Sequence, residues 1–291
     1  MKWFEGVVED RNDPLQLGRV KIRCIGYHTE SKQDLPTDDL PWAVPVQPIT
    51  SAAMSGVGTS PLGPVPGTVV VGFFRDGEDC QYPVFFGTLA GIPQEAANTT
   101  SGFSDPSGFY PKSDHLNEPD TNRLARGQTE KTIVEQKRDN IDEMSVPAGE
   151  GSSSSLSEPS TPYNTSYPMN KVLETESGHI QEFDDTPGSE RIHTYHRSGT
   201  FEEIHPDGTK VLKVVGDNYT VIFGDSDLHV RGDVNIDIDG NTNISVAKNA
   251  TIVVDGNVDV NAKGNMDLVA DGRLFMKGAS VKIEGFPIDL N

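Results

Sequence analysis

Gly232-Asp233-Val234-Asn235-Ile236-Asp237-Ile238-Asp239-Gly240-Asn241-Thr242-Asn243-Ile244-Ser245-Val246-Ala247-Lys248-Asn249 carries one pattern twice, eight residues apart. The spacing extends outward in both directions. Glycine falls at Gly208, Gly216, Gly224, Gly232, Gly240, Gly256, Gly264 and Gly272, and Lys248 alone interrupts the series. A fixed period is the mark of a repeat architecture, and it governs the reading of the rest of the chain.

From Gly216 onward the residue after each lattice point is Asp217, Asp225, Asp233, Asn241, Asn249, Asn257, Asn265 and then Arg273. Glycine followed by Asp or Asn predicts a corner. Glycine accepts positive φ without steric cost, and Asx side chains bond their own backbone. Apolar residues sit at even offsets between corners. They supply a candidate axial core of Ile236, Ile238, Ile244, Val246, Ile252, Val254, Val258, Val260 and Leu268. Odd offsets are mostly Asn, Asp and Ser. Alternation with period two and β-branched residues predicts short strands with one buried face.

Each octad is therefore a strand plus a corner. One such strand cannot bury its own face, and a lone ribbon leaves its backbone edges unpaired. Three identical chains wound about one axis solve both problems. Strands stack about 4.8 Å apart, so nine or so interleaved octads predict a needle on the order of 40 Å long. The rival is a single-chain solenoid. Calcium β-rolls, however, repeat every nine residues or so with paired glycines. The expected fold is all-β, ending in a triple-stranded β-helix formed by an intertwined homotrimer.

The chain has 291 residues, 34% hydrophobic content, 29 glycines, 20 prolines and a net charge of −20. That composition predicts elongated β structure in place of one compact globule. The charge argues against nucleic acid, which requires a basic footprint, and against anionic lipid. Cys24 and Cys80 are too few for a disulfide framework and are read as a buried thiol and an incidental one. Met1-Lys2-Trp3 leads straight into strand-like sequence, and no apolar stretch approaches the ~20 residues of a membrane span. Export, if any, is expected through lysis or an assembled machine.

Residues 3–27 alternate around a turn at Asp13-Pro14-Leu15 and predict a hairpin. Further strands are expected at Trp42–Pro48, Val65–Phe74 and Val84–Thr88. Together they predict a small closed barrel over residues 1–95. Residues 96–165 are polar, and rich in Gly and Pro. They read as a linker with one short helix somewhere in Thr121–Met144. Residues 166–207 return to strands: Lys171–Glu176, Ile180–Phe183, Arg191–His196 and Thr200–His205. Turns at Ser177-Gly178, Pro187-Gly188, Ser198-Gly199 and Pro206-Asp207-Gly208 separate them. This is a β-meander neck, followed by the octads of 208–291.

Several stretches resemble the central spike proteins of T-even-like contractile phages. They are Trp3-Phe4-Glu5-Gly6-Val7-Val8-Glu9-Asp10 through Gly18-Arg19-Val20, Leu40-Pro41-Trp42, Gln47-Pro48-Ile49-Thr50-Ser51-Ala52-Ala53-Met54-Ser55-Gly56, and Phe103-Ser104-Asp105-Pro106-Ser107-Gly108 with Tyr110-Pro111. Lys171-Val172-Leu173-Glu174-Thr175-Glu176-Ser177-Gly178-His179 is similar to the segment entering the needle in phage spikes and in secretion-system VgrG proteins. The resemblance implies that the barrel is an oligonucleotide/oligosaccharide-binding (OB) fold used as an assembly module. The T-even family carries a lysozyme domain between barrel and needle. Such a domain needs on the order of 150 residues, and residues 96–165 are too few and too polar. The muralytic domain is therefore expected to be missing, and the chain is not expected to be an enzyme.

Other chemistry was weighed on its residues. His193-x-x-His196 with His179 and His205 invites a metal reading. Spacing by three puts two strand residues on opposite faces, and no Cys or acidic partner completes a zinc pattern, so polar strand surface is expected. The octad Asp residues serve corners or solvated faces. No carboxylate pair sits in a context suited to glycoside hydrolysis, and no Gly-x-Ser-x-Gly elbow exists. No catalytic, metal or cofactor site is expected.

The expected function is a structural central spike at a contractile phage tail baseplate. It would assemble in the host cytoplasm and pierce the host outer membrane when the sheath contracts. Expected partners are two further copies of the chain, a baseplate hub trimer, and a PAAR-type tip protein. The tip is expected because Gly285-Phe286-Pro287-Ile288-Asp289-Leu290-Asn291 lacks the His-x-His clasp that closes some phage needles. The alternatives are a type VI secretion-like spike, disfavoured because the chain starts at the barrel without a fused hub, and a β-helical polysaccharide-degrading enzyme.

Overall fold

The computed structural model describes residues 1–138, 140–141, 145–146 and 156–288. It divides into two compact units, Met1–Asn235 and Ile236–Asn291.

The first unit begins with five strands: β1 (Lys2–Asp10), β2 (Val20–Cys24), β3 (Trp42–Pro45), β4 (Val69–Phe74) and β5 (Pro83–Leu89). They close into a barrel in the order β1-β2-β3-β5-β4. All pairings are antiparallel except β3 with β5. Alternating residues fill the interior: Phe4 and Val8, Val20, Ile22 and Cys24, Ala43, Val70 and Phe74, and Phe85. The rings of Phe4 and Phe74 meet at 4.9 Å. The expected hairpin and the three further strands are all present, with Trp42–Pro48 shortened to Trp42–Pro45 and Val65–Phe74 to Val69–Phe74.

The outward side of β2 and of the second half of β1, at Val7 and Glu9, is buried as well. Arg23 and Glu9 form an ion pair with neither side chain exposed, Nε to Oε1 at 2.6 Å. Arg23 also donates to the carbonyls of Thr29 (2.6 Å) and Leu35 (2.8 Å). Glu9 accepts from the Thr37 hydroxyl (2.7 Å) and the Phe103 backbone N–H (2.8 Å). A buried charge persists only when paired and hydrogen-bonded, and this pair fixes two loops to the barrel wall.

The described residues between 96 and 141 pack onto what flanks them. Asp105 is buried and accepts backbone bonds from Ser107, Phe109 and Tyr110. Gly102 packs so closely on Arg23 that a Cβ there would stand 2.3 Å from its Nε. The helix anticipated within Thr121–Met144 is α1 (Ile133–Arg138); residues 142–144 lie outside the described residues. Two short strands, β6 (Ser145–Val146) and β7 (Leu156–Ser157), pair with each other.

A second sheet follows: β8 (Asn170–Glu174), β9 (Ile180–Asp184), β10 (Arg191–Tyr195), β11 (Phe201–Ile204) and β12 (Lys210–Lys213). It is an antiparallel meander, each strand beside its chain neighbour. The turn glycines adopt the left-handed backbone that the sequence demanded of them. At Gly199, φ is +102°, and a Cβ would also lie 2.3 Å from Ile141. The inner face packs Ile180 and Tyr195 on Leu124 and Val134, with Ile133, Tyr163, Val172 and Phe201 around them. The interval after Gly208 belongs to this sheet, since β12 pairs with β11 and Val211 is buried.

Candidate functional site

Beyond β12, the described octad residues hold no ladder partners within the chain. From residue 214 to 288 the described backbone forms no strand, but it bends at regular intervals. Bends fall at 215–216, 223–224, 231–232, 239–240, 247–248, 255–256, 263–264 and 271–272. The period of eight is therefore geometric as well as compositional. It survives at Ala247-Lys248, where glycine is missing.

The corner mechanism differs from expectation. Gly208 has φ +84° and lies in the turn between β11 and β12. Gly216, Gly224, Gly232, Gly240, Gly256, Gly264 and Gly272 are not in the left-handed region, and a Cβ on any of them would meet nothing within 4 Å. The bends are made with ordinary backbone torsions, so positive φ is not what selects glycine there.

The candidate axial residues Ile236, Ile238, Ile244, Val246, Ile252, Val254, Val258, Val260 and Leu268 are between 49% and 88% exposed in the single chain. A contiguous apolar series this long on a monomer's surface marks an interaction site.

The meander's inner face carries the strongest electrostatics. Arg191 donates to Glu182 (2.6 Å) and to Glu203 (2.8 Å), with all three side chains nearly inaccessible. Its guanidinium lies over the Tyr163 ring at 4.8 Å. His193 Nδ1 donates to Glu182 (2.8 Å), and His205 Nε2 donates to Glu203 (3.0 Å). Asn170 donates to Glu182 (2.7 Å), Thr161 to Glu203 (2.8 Å), and Thr165 to Asp184. Burial pushes the Glu182 carboxyl up, but the His193 bond and the Arg191 charge outweigh it and leave it below its ordinary value. Glu203 is likewise raised by burial, and Arg191, with His193 and Thr161, brings it below its ordinary value.

His193 is therefore not polar strand surface; it is 3% exposed and sits within this network. His196 lies on the exposed side, with its ring 4.5 Å from that of His179. The spacing argument separated His193 from His196 correctly but assigned His193 the wrong environment. Among the described residues, no group of three or more His, Cys, Asp or Glu is arranged to hold a metal ion. Cys24 is buried in the barrel, and Cys80 packs partly buried against the same core.

Three neighbouring segments of the first unit meet at Glu176. It receives both terminal nitrogens of Arg11 (2.7 and 2.9 Å) and the Tyr110 hydroxyl (2.7 Å).

Residues 26–168 match the family described as the Gp5 N-terminal OB domain. Over 250 residues the chain is 45% identical to Protein Gp5 of Vibrio phage KVP40, covering 76% of this chain and 59% of that protein. Over 117 residues it is 50% identical to the pre-baseplate central spike protein Gp5 of Enterobacteria phage T4, covering 38% of this chain and 20% of that protein. Over these stretches the chain is similar to the phage Gp5 proteins. It spans about three fifths of the first relative's length and about one fifth of the second's. The family match runs past the last barrel strand to the residues just before β8, so it includes the polar stretch that packs on the barrel.

The network of Glu182, Arg191, His193 and Glu203 went unread in the sequence, although a signal was present. His193 is in register with Glu182 on one side and Glu203 on the other, and Arg191 with Asp184. Opposite charges directly across strands are a recognisable pairing unit.

Proposed function

We propose that this chain is the structural central spike of a contractile phage tail baseplate, acting as a homotrimer whose octads form a triple-stranded β-helix. The observation that carries the reading is the octad series. Its bends recur every eight residues, and its apolar ladder lies uncovered in the single chain, in a Gp5 relative with an N-terminal OB domain. Three copies would turn the ladders inward and supply the strand pairing that each copy lacks.

The role is mechanical and not enzymatic. Where the family carries a lysozyme domain, this chain has 3₁₀ turns and the six-residue α1 packed against barrel and meander. The OB barrels dock on a hub trimer, a PAAR-type tip protein caps the C-terminal end, and the host outer membrane is the target. Nucleic acid is not a partner, given a net charge of −20. In the virion the protein sits at the tail baseplate.

The test is native mass measurement of the full chain with an Ile238→Asp, Val254→Asp double variant beside it. Three copies per wild-type particle, and dissociation in the variant, are expected. A monomeric wild type sinks the spike reading. Interlocked chains should also unfold slowly, giving a trimer band in detergent without boiling.

A further inference from the structure

Between α1 and the inner face of the meander lies a cavity of about 60 Å³. A water needs about 10–15 Å³ on this scale, so the space admits a group of roughly four or five heavy atoms. Val134, Ile141 and Phe201 give it an apolar wall; Tyr195 and the cations Lys137 and Arg138 give it a polar one.

Tyr195 is 4% exposed, yet its hydroxyl has no hydrogen-bond partner among the described residues. Buried hydroxyls are rarely left so in native structures. Burial pushes the phenol up to about 12, against the opposing charge of Arg138, so it remains a donor at any physiological pH. The carboxylates around the cavity are already engaged. Glu203 accepts from Arg191, Thr161 and His205. Glu158 accepts from Lys213 at 2.7 Å. Arg138 stands 4.0 Å from the Glu135 carboxylate, its ion-pair partner among the described residues. The wall around the phenol thus offers donors and positive charge, and calls for an acceptor that is small and negative.

We propose that this cavity binds a small oxyanion, of carboxylate or phosphate type, that accepts a hydrogen bond from Tyr195 and lies against Arg138 and Lys137. Bound there, it ties α1 to the sheet. The site belongs to the first unit alone and does not depend on the trimeric reading.

The experiment is titration calorimetry on the full chain with inorganic phosphate and, separately, acetate, at ionic strength held constant with chloride. Saturable binding of at least one of them is expected, and the arm that binds identifies the head group. Tyr195→Phe keeps the ring in the core and should weaken binding about tenfold, the loss of one charge-assisted bond. Arg138→Gln, at a partly exposed position, should weaken it comparably and carries the test if Tyr195→Phe fails to fold. No saturable heat with either anion, or affinities unchanged in the folded variants, overturns the proposal.

Discussion

Arg191→Met should unlatch the meander, and it should do so in a pH-dependent way. The side chain serves two buried acids at 2.6 and 2.8 Å and is itself about 1% accessible. Methionine fills comparable space but leaves Glu182 and Glu203 facing each other's strands without their shared cation. Removing one partner of a buried pair costs about 3–5 kcal/mol, and here one cation serves two anions. In the wild type both carboxyls are held below their ordinary value. Their contribution is therefore complete above the unfolded carboxylate pKa of about 4.3 and is lost only as pH falls through the folded values. The contribution of these two acids to wild-type stability should be flat between pH 8 and 5. In the variant, burial loses its main opponent at Glu203 and, at Glu182, the charge that acts beside the His193 bond, so the folded carboxyl pKa values rise. The defect should shrink as pH falls from 8 towards 5. Amide hydrogen exchange on peptides spanning β9–β11 reads this locally. At pH 7.5 the variant should exchange faster by roughly two to four orders of magnitude, the equivalent of that energy, and by clearly less at pH 5.5. Exchange within tenfold of wild type at pH 7.5, or a gap that does not narrow at pH 5.5, would refute the reasoning.

Glu9→Gln should destabilise the barrel by about 3 kcal/mol, because it leaves the Arg23 charge buried without its anion; Trp3 and Trp42 fluorescence on heating reports it. Burial raises Glu9, but its bonds from Arg23, Thr37 and Phe103 lower it further. Wild-type barrel stability should therefore fall below about pH 4, and the Gln variant should show a flatter acid limb. Gly102→Ala drives a methyl to 2.3 Å from Arg23 Nε; overpacking of that kind costs about 1–3 kcal/mol, seen as a lower barrel melting point. Leu124→Ala empties a site that is 2% exposed and should cost about 2–5 kcal/mol, read as faster exchange in β9 and β10. Gly240→Ala meets nothing within the chain; a large loss of detergent resistance in that variant would locate a neighbouring backbone at the corner, and none would argue that the corner stays open.

What the sequence disclosed was what is local. The hairpin of β1 and β2 and the four meander turns could be read because period-two alternation and turn chemistry act over a few residues. The parallel pairing of β3 with β5 could not, since it joins Val44 to Val84 across a long loop. The path of residues 96–141 was equally hidden. It is set by acceptors far off in the chain, as when Phe103 donates to Glu9. The meander misled for a different reason. Its alternation was legible, but polar residues were assigned to the outside, and the buried face holds Glu182, Arg191, His193 and Glu203. Pattern alone does not say which face is inside when a charged face neutralises itself.

The octads sharpen that point. Glycine weakens a strand by leaving the unfolded chain more freedom to lose, so seven non-left-handed glycines at one spacing require another cause. Torsion is excluded by their backbone, and contact within the chain by the open space around them. The bend itself does not need glycine, since it persists at Ala247-Lys248. What remains is room for something outside the chain to approach the backbone at each corner. Lysine is the tolerable exception, because its long stem can carry the charge away from such a contact. On the proposed trimeric reading, the same outside surface covers the candidate axial residues, which are 49% to 88% exposed in the single chain. A neighbour that meets both requirements with the same period of eight is most simply another copy of the same ribbon.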